Sequence, residues 1–319
     1  MKICHVDPAC GLDIPPKNWG AIEKIIWEFE VNQRILGHES THKMTADIQP
    51  GEFDVVHCHV ANLAIELQKR KIPYIYQLHD HHVLHYGKDS HVYKVNLQAI
   101  EGSLVSLMPA NWLVNYFNHP KCVYFSHGVN LNDFYPKSKS SPRPLPPKLL
   151  MLANNGLGGD NSFDRKGFEQ GLGLAMMNNL EITIAGPSNN KNFFNSHLWM
   201  LSYPKLNLVF DTPNSELLEL YHEHDIFIHP TMLEAGHPNL TMLEAMASGL
   251  PVIADWEMEV DLHGCWRAPR DVFEMDKGLK HILDNWGVYK KNCAETSSKL
   301  SWLNRTKELI KIYNERSFN

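Results

Sequence analysis

The stretch HPTMLEAGHPNLTMLEAMASGLPVIAD (229–255) has the pattern of a strand end, a loop, a short helix and a second strand. Pro238 suits the first turn of the helix, because the N–H that proline lacks would have no intrahelical partner there. Gly249 suits the residue just past the helix end, and Pro251 prevents the helix from continuing. A strand, a helix and a strand in this order predict a parallel βαβ unit.

Two glutamates lie within this stretch. Glu244 is one helical turn from Leu240, beside the face that should point at the core. A carboxylate there must be paired or hydrogen-bonded, because desolvating it alone is costly. Glu234 precedes the helix, in the loop that follows a strand. Ligands of open α/β sheets bind at the carboxyl ends of strands beside helix N-termini, so the pair Glu234 and Glu244 predicts a ligand site.

Short apolar runs alternate with helical patterns along the rest of the chain, which predicts parallel sheets in two α/β halves. The runs predicted as strands are 2–6, 54–59, 74–78, 104–108, 122–126, 148–153, 180–186, 207–210, 225–230 and 251–255. The segment PKSKSSPRPLPP (136–147) is rich in Pro, Ser and Lys and is predicted to be a linker. A length of 319 residues suits two domains.

The composition is that of an ordinary soluble globular protein, with 43% hydrophobic and 21% charged residues. A net charge of −6 argues against a dominant basic surface for nucleic acid or anionic lipid. No apolar run approaches the ~20 residues of a membrane span, and the polar N-terminal residues do not resemble a signal peptide. The six cysteines form no CxxC pair, which is typical of reduced thiols. These features predict a cytoplasmic protein, with peripheral membrane association left open.

The second half of the opening stretch, EAMASGLPVIA (244–254), closely resembles the donor-binding signature of glycosyltransferase family 4. Members of that family are retaining enzymes of the GT-B architecture. The resemblance therefore implies an α/β fold of two Rossmann-like domains facing across a cleft. The family pattern has seven residues between its two glutamates, and this chain has more between Glu234 and Glu244. Either the loop GHPN carries an insertion, or Gly236 takes the place of the first glutamate; the distance of Glu234 from Pro230 favours the insertion.

Four further segments resemble family motifs, and together they cover most of the chain. They are PPKNWGAIEKIIWEF (15–29), FDVVHCH (53–59), YIYQLHD (74–80) and HGVNLNDFYP (127–136). The resemblance implies an acceptor-binding domain over 1–140 and a nucleotide-sugar-binding domain over 148–300, joined by the linker. The C-terminal helix, about 301–319, often packs back on the first domain in such folds.

Positive charge stands at a predicted helix start, Asp164-Arg165-Lys166-Gly167. With Asp164 as N-cap, Arg165 and Lys166 would fall in the first turn, where cations oppose the helix dipole unless an anion lies nearby. By resemblance Lys166 binds the donor diphosphate; the alternative is a solvated helix start. The family arginine at the preceding strand end is missing, and Asn154 stands there. Arg165 is a candidate replacement, and the glycines of 156–159 could form an anion-binding nest.

The resemblance also assigns the remaining donor-binding residues. Glu244 would accept hydrogen bonds from the ribose hydroxyls of the nucleotide, and Glu234 would orient the transferred sugar. Gly20, at a helix start, would let backbone N–H groups approach a phosphate or sugar. Asn239, Leu240 and Thr241, at the start of the helix in the opening stretch, are also assigned to donor binding. The alternative for the two glutamates is a role as helix caps or surface charges.

His79 ends the strand YIYQL and is predicted at the mouth of the cleft, where the family histidine contacts the donor sugar. With Glu234 and Lys166 it makes up the predicted catalytic set. Neighbouring histidines invite a metal interpretation: His57, His59, His81, His82, His85 and His91. Their spacing does not follow that of zinc sites, and the chain has no Asp-x-Asp pair, so no metal site and no required cofactor are predicted.

The sequence therefore predicts a hexosyl- or pentosyltransferase that moves a sugar from a nucleotide-diphosphate sugar, with a UDP-sugar favoured, to an acceptor hydroxyl with retention of configuration. The acceptor could be a glycan, a lipid-linked sugar, a protein or a modified nucleobase. Two alternatives stay open: an epimerase or phosphorylase on the same fold, and a nucleotide-sugar-binding protein without turnover. The missing arginine and the altered glutamate spacing motivate the last of these.

Overall fold

The structure is a computed structural model, and it describes residues 1–7, 13–17, 20–79, 82–137, 142–155, 164–232, 238–255 and 262–316. Contacts divide the chain into two compact units. Unit 1 comprises Met1–Gly128 and Ser301–Asn319, and unit 2 comprises Val129–Leu300. The predicted linker 136–147 falls in the range of unit 2, and its residues 138–141 lie outside the described ranges. Within those ranges, no helix is both long enough and apolar enough to cross a membrane.

Unit 1 contains a parallel sheet of six strands in its described part, with the order β2-β1-β3-β4-β5-β6. The strands are β1 (Lys2–Val6), β2 (Glu39–Lys43), β3 (Val55–Cys58), β4 (Ile75–Gln77), β5 (Ser106–Met108) and β6 (Cys122–Tyr124). The helices between them are α1 (Ala21–Ile35), α2 (Ala61–Lys69), α3 (His82–Tyr86), α4 (His91–Gly102) and α5 (Asn111–Phe117). Strands β3, β4 and β5 are buried throughout, as expected for parallel strands covered on both faces.

Unit 2 also contains a parallel sheet of six strands in its described part, with the order β12-β11-β10-β7-β8-β9. The strands are β7 (Leu149–Leu152), β8 (Ile182–Gly186), β9 (Leu206–Phe210), β10 (Ile226–His229), β11 (Val252–Asp255) and β12 (Cys265–Ala268). The helices are α6 (Phe168–Asn178), α7 (Lys191–Ser196), α8 (Leu217–His222), α9 (Leu240–Ala247), α10 (Val272–Asp284) and α11 (Trp286–Lys299). Short 3-10 turns occupy Ser188–Asn190, Leu198–Ser202 and Asn214–Glu216.

The predicted α/β fold with two Rossmann-like sheets is confirmed, and each run predicted as a strand overlaps one. The sequence missed β2 and β12, which are edge strands. Residues of β2, ESTHK, are all exposed or half-buried, and β12 has one buried residue out of four. An edge strand has a neighbour on one side only and carries polar residues, so it lacks the apolar run that marks a central strand.

The last helix, α12 (Trp302–Glu315), belongs to unit 1 and packs against α1. The Trp302 ring meets the Phe29 ring edge-on, with centroids 5.2 Å apart. Gly128 provides room for this helix, because a Cβ there would lie 2.8 Å from the Trp302 ring. Arg305 Nε donates to the Ser126 carbonyl at 3.2 Å. Helix α12 follows unit 2 along the chain and yet belongs to unit 1.

Candidate functional site

In unit 2, β7, β10 and β11 are neighbours, so the loops at their carboxyl ends meet at one edge of the sheet. The loop after β7 is held by a residue of the loop after β8. Asn190 Oδ1 accepts from the Asn155 N–H at 3.0 Å, and Asn190 Nδ2 donates to the Ala153 carbonyl at 2.8 Å. Gly186 makes this possible, because a Cβ there would clash with Asn190 and the Ala153 carbonyl. The backbone that precedes the site is therefore fixed by side-chain hydrogen bonds.

Asp164 caps α6 from outside the helix. Its carboxylate accepts from the N–H groups of Gly167, Phe168 and Glu169 at 2.8–3.0 Å. The helix begins at Phe168, so the prediction that Arg165 and Lys166 lie in its first turn is wrong. They stand in the turn before it, because the chain crosses Gly167 at a φ of +76° and only then enters the helix. A Cβ on Gly167 would also lie 2.6 Å from the Pro230 carbonyl.

Arg165 and Lys166 are both buried, with 5% and 7% of their surface exposed. Arg165 Nη2 donates to the Asn154 carbonyl at 3.1 Å, and the Lys166 N–H donates to Asn155 Oδ1 at 3.0 Å. The Arg165 carbonyl accepts from the Met232 N–H at 2.9 Å, which ties this turn to the loop after β10. The structure thus brings the Arg165 guanidinium to Asn154, the position where the family arginine is missing.

Arg270, which sequence reasoning missed, lies beside the same turn. Its Nε donates to Gln170 Oε1 at 2.9 Å, its Nη2 donates to the Asp164 carbonyl, and it pairs with Asp164 Oδ2 at 3.5 Å. Burial lowers the pKa of Arg270, and the carboxylates of Asp164 and Asp255 oppose that shift. No motif marks Arg270 in the sequence, because it follows the unpredicted strand β12. Arg270 therefore compensates the Asp164 carboxylate that caps α6.

Helix α9 begins at Leu240 with Asn239 as its N-cap, whose Oδ1 accepts from the Met242 N–H at 3.1 Å. Pro238 therefore precedes the cap, and the prediction that it lies in the first turn is wrong. Asn239 takes the cap position because its side chain can accept from the helix N–H groups. Thr241 Oγ1 donates to Asn239 Oδ1 at 2.9 Å. Gly249, at a φ of +86°, ends the helix as predicted.

The buried His229 connects the loop after β10 to the start of α9. Its Nε2 lies 2.6 Å from Asn239 Nδ2 and 3.2 Å from Thr231 Oγ1. An amide nitrogen and a hydroxyl can both donate, so Nε2 is the accepting nitrogen of His229. Sequence reasoning passed over His229 as a strand residue, although a histidine that ends an apolar strand was the available signal.

Glu244 is 4% exposed and lies on α9 between apolar residues. The hydroxyl of Tyr221, on α8, lies 3.1 Å from Glu244 Oε2 and 3.1 Å from the Thr241 carbonyl. Burial raises the pKa of Tyr221 well above its ordinary value, so the hydroxyl stays protonated and donates. The sequence predicted that Glu244 needs a partner; the partner itself comes from a different helix, which only the fold identifies.

Glu234 and Gly236 lie outside the described residues, as do the glycines of 156–159. Leu240 and Thr241 are half-buried in the first turn of α9. Unit 2 therefore brings together Arg165, Lys166, Asn239, Leu240, Thr241 and Glu244 at the carboxyl edge of its sheet. Gly20 and His79 belong to unit 1, where Gly20 is the N-cap of α1 and His79 follows β4.

In unit 1, a cavity of about 240 Å³ opens at the carboxyl ends of β3 and β4. Polar and apolar side chains share its wall: His59, Asn62, Tyr76, His79, His91 and Asn96, with Ile22, Val60, Ala61, Leu78, Val83, Val92 and Val95. Tyr76 donates to Asn96 Oδ1 at 2.6 Å, which orients that amide. No Lys, Arg, Asp or Glu lies among the described residues of this wall. The cavity suits a largely uncharged ligand.

Behind the cavity, His5, His57 and His59 are buried with one nitrogen of each within 4.8 Å of the others. Burial lowers the pKa of His5 to about 4 and that of His57 and His59 well below the ordinary value. Three neutral imidazoles in such proximity could hold a metal ion. However, His5 Nδ1 and His59 Nε2 lie 2.9 Å apart, a hydrogen-bond distance at which the two nitrogens share a proton.

Comparison with known proteins adds the family context. The family model described as "Glycosyl transferases group 1" matches residues 174–285, about a third of the chain. The matched range contains Tyr221, Glu244 and the start of α9, and it excludes Lys166 and all of unit 1. No curated protein sequence matches the chain.

Solved structures match nearly the whole chain. Sucrose-phosphate synthase from Thermosynechococcus elongatus has a TM-score of 0.76 and 14% identity over 99% of each chain. An alpha-glucosyltransferase in complex with UDP and a 13-mer DNA has a TM-score of 0.69 and 14% identity over 98% of this chain and 100% of that one. HepE of Anabaena in complex with UDP has a TM-score of 0.68 and 12% identity over 99% and 100%. The chain has the GT-B glycosyltransferase fold, and the family match supports a glycosyltransferase.

Proposed function

We propose that the protein is a retaining glycosyltransferase that moves a hexose or pentose from a nucleotide-diphosphate sugar, a UDP-sugar being favoured, to an acceptor hydroxyl. The observation that carries the proposal is Glu244. It is a buried carboxylate at the carboxyl edge of the unit 2 sheet, oriented by Tyr221 and within the range matched by the family model. Acidic side chains so placed commonly bind ribose hydroxyls in nucleotide-binding α/β folds.

Glu244 has a donor-binding role in this proposal. Tyr221 donates to Oε2, and the carboxylate is proposed to accept from the ribose hydroxyls. The rigid hydroxyl of Tyr221 keeps the carboxylate in one orientation, so little side-chain entropy is lost when the nucleotide binds. Asn239, Leu240 and Thr241 line the adjoining first turn of α9, where N–H groups face an anionic ligand.

The diphosphate belongs, in this proposal, at the turn of Arg165 and Lys166. These cations are buried against the loop after β7, and Arg270 compensates the neighbouring Asp164 carboxylate. Charge builds on the leaving diphosphate as the glycosidic bond breaks, and fixed cations in a desolvated site stabilise that charge. The Asp164 carboxylate already occupies the first N–H groups of α6, so the side chains, more than this helix start, must meet the phosphates.

The acceptor belongs at the cavity of unit 1, next to His79. Its uncharged wall of histidines, amides and aliphatic groups suits a sugar or a similarly neutral acceptor group. By resemblance to the family, His79 contacts the donor sugar, Glu234 orients it, and a donor phosphate oxygen takes the acceptor proton. Transfer then requires no protein general base and no metal ion.

A product analysis tests the proposal. The protein is incubated with UDP- and ADP-sugars, first alone and then with mono- and disaccharide acceptors, and products are identified by mass spectrometry and by the NMR coupling of the new anomeric proton. We expect release of the nucleoside diphosphate with an α-linked product from an α-linked donor. An inverted linkage overturns retention, and isomerised donor without acceptor identifies an epimerase.

The matched variants are Glu244→Gln and Glu223→Gln, the latter an exposed carboxylate at the end of α8. Glu244→Gln should lower turnover and donor affinity, and Glu223→Gln should leave both unchanged. Equal behaviour of the two variants contradicts the assignment of Glu244 to the donor site.

A further inference from the structure

We propose that His5 and His59 are positioning residues for His79. Together with Gln33 they form a hydrogen-bonded chain that fixes which nitrogen of His79 carries its proton. The chain starts on α1 and runs through β1 and the end of β3 to His79, after β4. His5 and Gln33 do not line the cavity of unit 1, so their effect on a ligand there acts through the chain alone.

The chain is continuous. Gln33 Oε1 lies 3.0 Å from His5 Nε2, His5 Nδ1 lies 2.9 Å from His59 Nε2, and His59 Nδ1 lies 2.8 Å from His79 Nε2. At the far end, the Ser40 hydroxyl donates to Gln33 Oε1 at 2.6 Å. Each contact is within hydrogen-bond distance, and His5, Gln33 and His59 are at most 3% exposed.

The direction of the chain follows from its first member. An amide oxygen can only accept, so His5 carries its proton on Nε2. A neutral imidazole has one donor and one acceptor, so His5 Nδ1 accepts from a proton on His59 Nε2. By the same reasoning, His59 Nδ1 accepts from a proton on His79 Nε2. Neutral His79 therefore presents Nδ1 as an acceptor.

The reasoning requires His5 and His59 to be neutral, because a protonated imidazole donates from both nitrogens. Burial lowers the pKa of His5 to about 4, and burial together with the neighbouring imidazoles lowers that of His59 well below its ordinary value. Both rings therefore stay neutral at pH 7, and the chain has one direction.

A metal ion held by His5, His57 and His59 is the competing interpretation of the same cluster. Two nitrogens that ligate one metal both present lone pairs to it, whereas His5 Nδ1 and His59 Nε2 are at the distance of a shared proton. His57 uses its Nδ1 on the Tyr313 hydroxyl at 2.7 Å and lies outside the chain. The hydrogen-bond geometry therefore favours the chain.

The consequence for binding rests on the proposed function. A group that meets His79 Nδ1 must be a hydrogen-bond donor, such as a sugar hydroxyl. A phosphate or carbonyl oxygen would place a lone pair against a lone pair. The chain thus sets the hydrogen-bond role of His79 Nδ1 and holds the imidazole plane in one orientation.

Nitrogen-15 NMR of histidine-labelled protein tests the tautomer without any substrate, so this measurement is independent of the proposed function. The signals of His79 are identified by their loss in His79→Gln. We expect that His79 of the wild type at pH 7 carries its proton on Nε2 and that its Nδ1 is unprotonated. His5→Leu should convert His79 to a mixture of tautomers, and His5→Gln should restore the wild-type pattern, because an amide can both donate to Gln33 and accept from His59.

His57→Leu is the matched control, since His57 is equally buried and its ring lies 4.3 Å from that of His59, but it makes no hydrogen bond in the chain. It should lose stability as His5→Leu does and leave the His79 tautomer unchanged. If the protein transfers sugar, His5→Leu should lower its rate roughly tenfold, by analogy with partners that orient metal-bound imidazoles, and His5→Gln should recover most of it.

Three results overturn the chain: wild-type His79 protonated on Nδ1, a His79 tautomer that does not respond to His5→Leu, or stoichiometric zinc in the purified protein that His5→Leu abolishes. Absence of sugar transfer together with the expected tautomers rejects the proposed function and leaves the chain intact.

Discussion

The candidate site of unit 2 and the cavity of unit 1 both lie at the carboxyl ends of parallel strands, and their chemistry differs. The site of unit 2 carries charged side chains: Arg165, Lys166 and Glu244 are buried, and Arg270 is half-buried. The described wall of the unit 1 cavity carries imidazoles, amides and aliphatic groups, without Lys, Arg, Asp or Glu. Burying a charge is costly unless another charge or a hydrogen bond compensates. The difference between the two sites therefore predicts a charged ligand for the site of unit 2 and a neutral one for the cavity of unit 1.

The largest effect is expected when one cation is removed from the site of unit 2. Lys166→Ala should lower the transfer rate by about 10²–10³, because the lysine meets charge that develops on the leaving diphosphate. Lys137→Ala, which removes an exposed lysine, is the control and should not change the rate. Steady-state kinetics at saturating donor measure the effect.

Arg165→Ala sharpens the same prediction, since Arg165 binds the Asn154 carbonyl where the family arginine is absent. Its loss should be comparable to that of Lys166, and the double variant should be less than additive because both residues act on one diphosphate. A wild-type rate and an unchanged donor affinity in Arg165→Ala would contradict the proposal that Arg165 replaces the family arginine.

Mildly acidic pH should lower the stability of the folded protein through the buried His5. The pKa of His5 is about 4 in the folded protein, below its ordinary 6.5, so between these values the unfolded chain binds more protons. Stability that is complete above pH 6.5 is then lost as the pH falls toward 4, by up to about 3 kcal/mol for this group. Thermal unfolding from pH 7.5 to 4.5 measures it.

In that experiment, His5→Leu should have a shallower loss of melting temperature with falling pH than the wild type. His85→Gln, an exposed histidine, is the control and should follow the wild type. Parallel curves for all three proteins would show that His5 does not carry this acid sensitivity.

The carboxylate of the unit 2 site is tested by binding. Glu244→Ala should weaken binding of the nucleoside diphosphate by about 1.5–3 kcal/mol, since it removes charge-assisted hydrogen bonds to a diol. Tyr221→Phe leaves the charge but removes the orienting hydroxyl, and should cost about 0.5–1.5 kcal/mol. Titration calorimetry gives both values, with circular dichroism to verify the fold; unchanged affinity in Glu244→Ala rejects the ribose role.

The smallest expected effect is that of EDTA, which should leave the initial transfer rate unchanged, because buried side-chain cations take the role of a divalent ion at the diphosphate. Activity lost with EDTA and restored by manganese or magnesium would contradict this, and would direct attention to the histidines of unit 1.

Local sequence determined much of unit 2. Gly249 ends α9 because its φ of +86° is one that glycine adopts freely, and Pro251 stops the helix from continuing. The central strands follow from continuous apolar runs. Helix starts differed from the prediction: Asn239 is the N-cap of α9, so Pro238 precedes the helix, and Gly167 holds the cap position of α6 predicted for Asp164.

What only the tertiary structure decided is which side chains meet. Tyr221 contacts Glu244 from another helix, and Arg270 contacts Asp164 although the two are 106 residues apart along the chain. His5 and His59 become hydrogen-bonded because strand register places β1 beside β3. The sequence shows periodicity over a few residues, which fixes local elements; it carries no sign of distances between residues that are remote along the chain. Those distances, and the partners that they create, exist only once the sheets have formed.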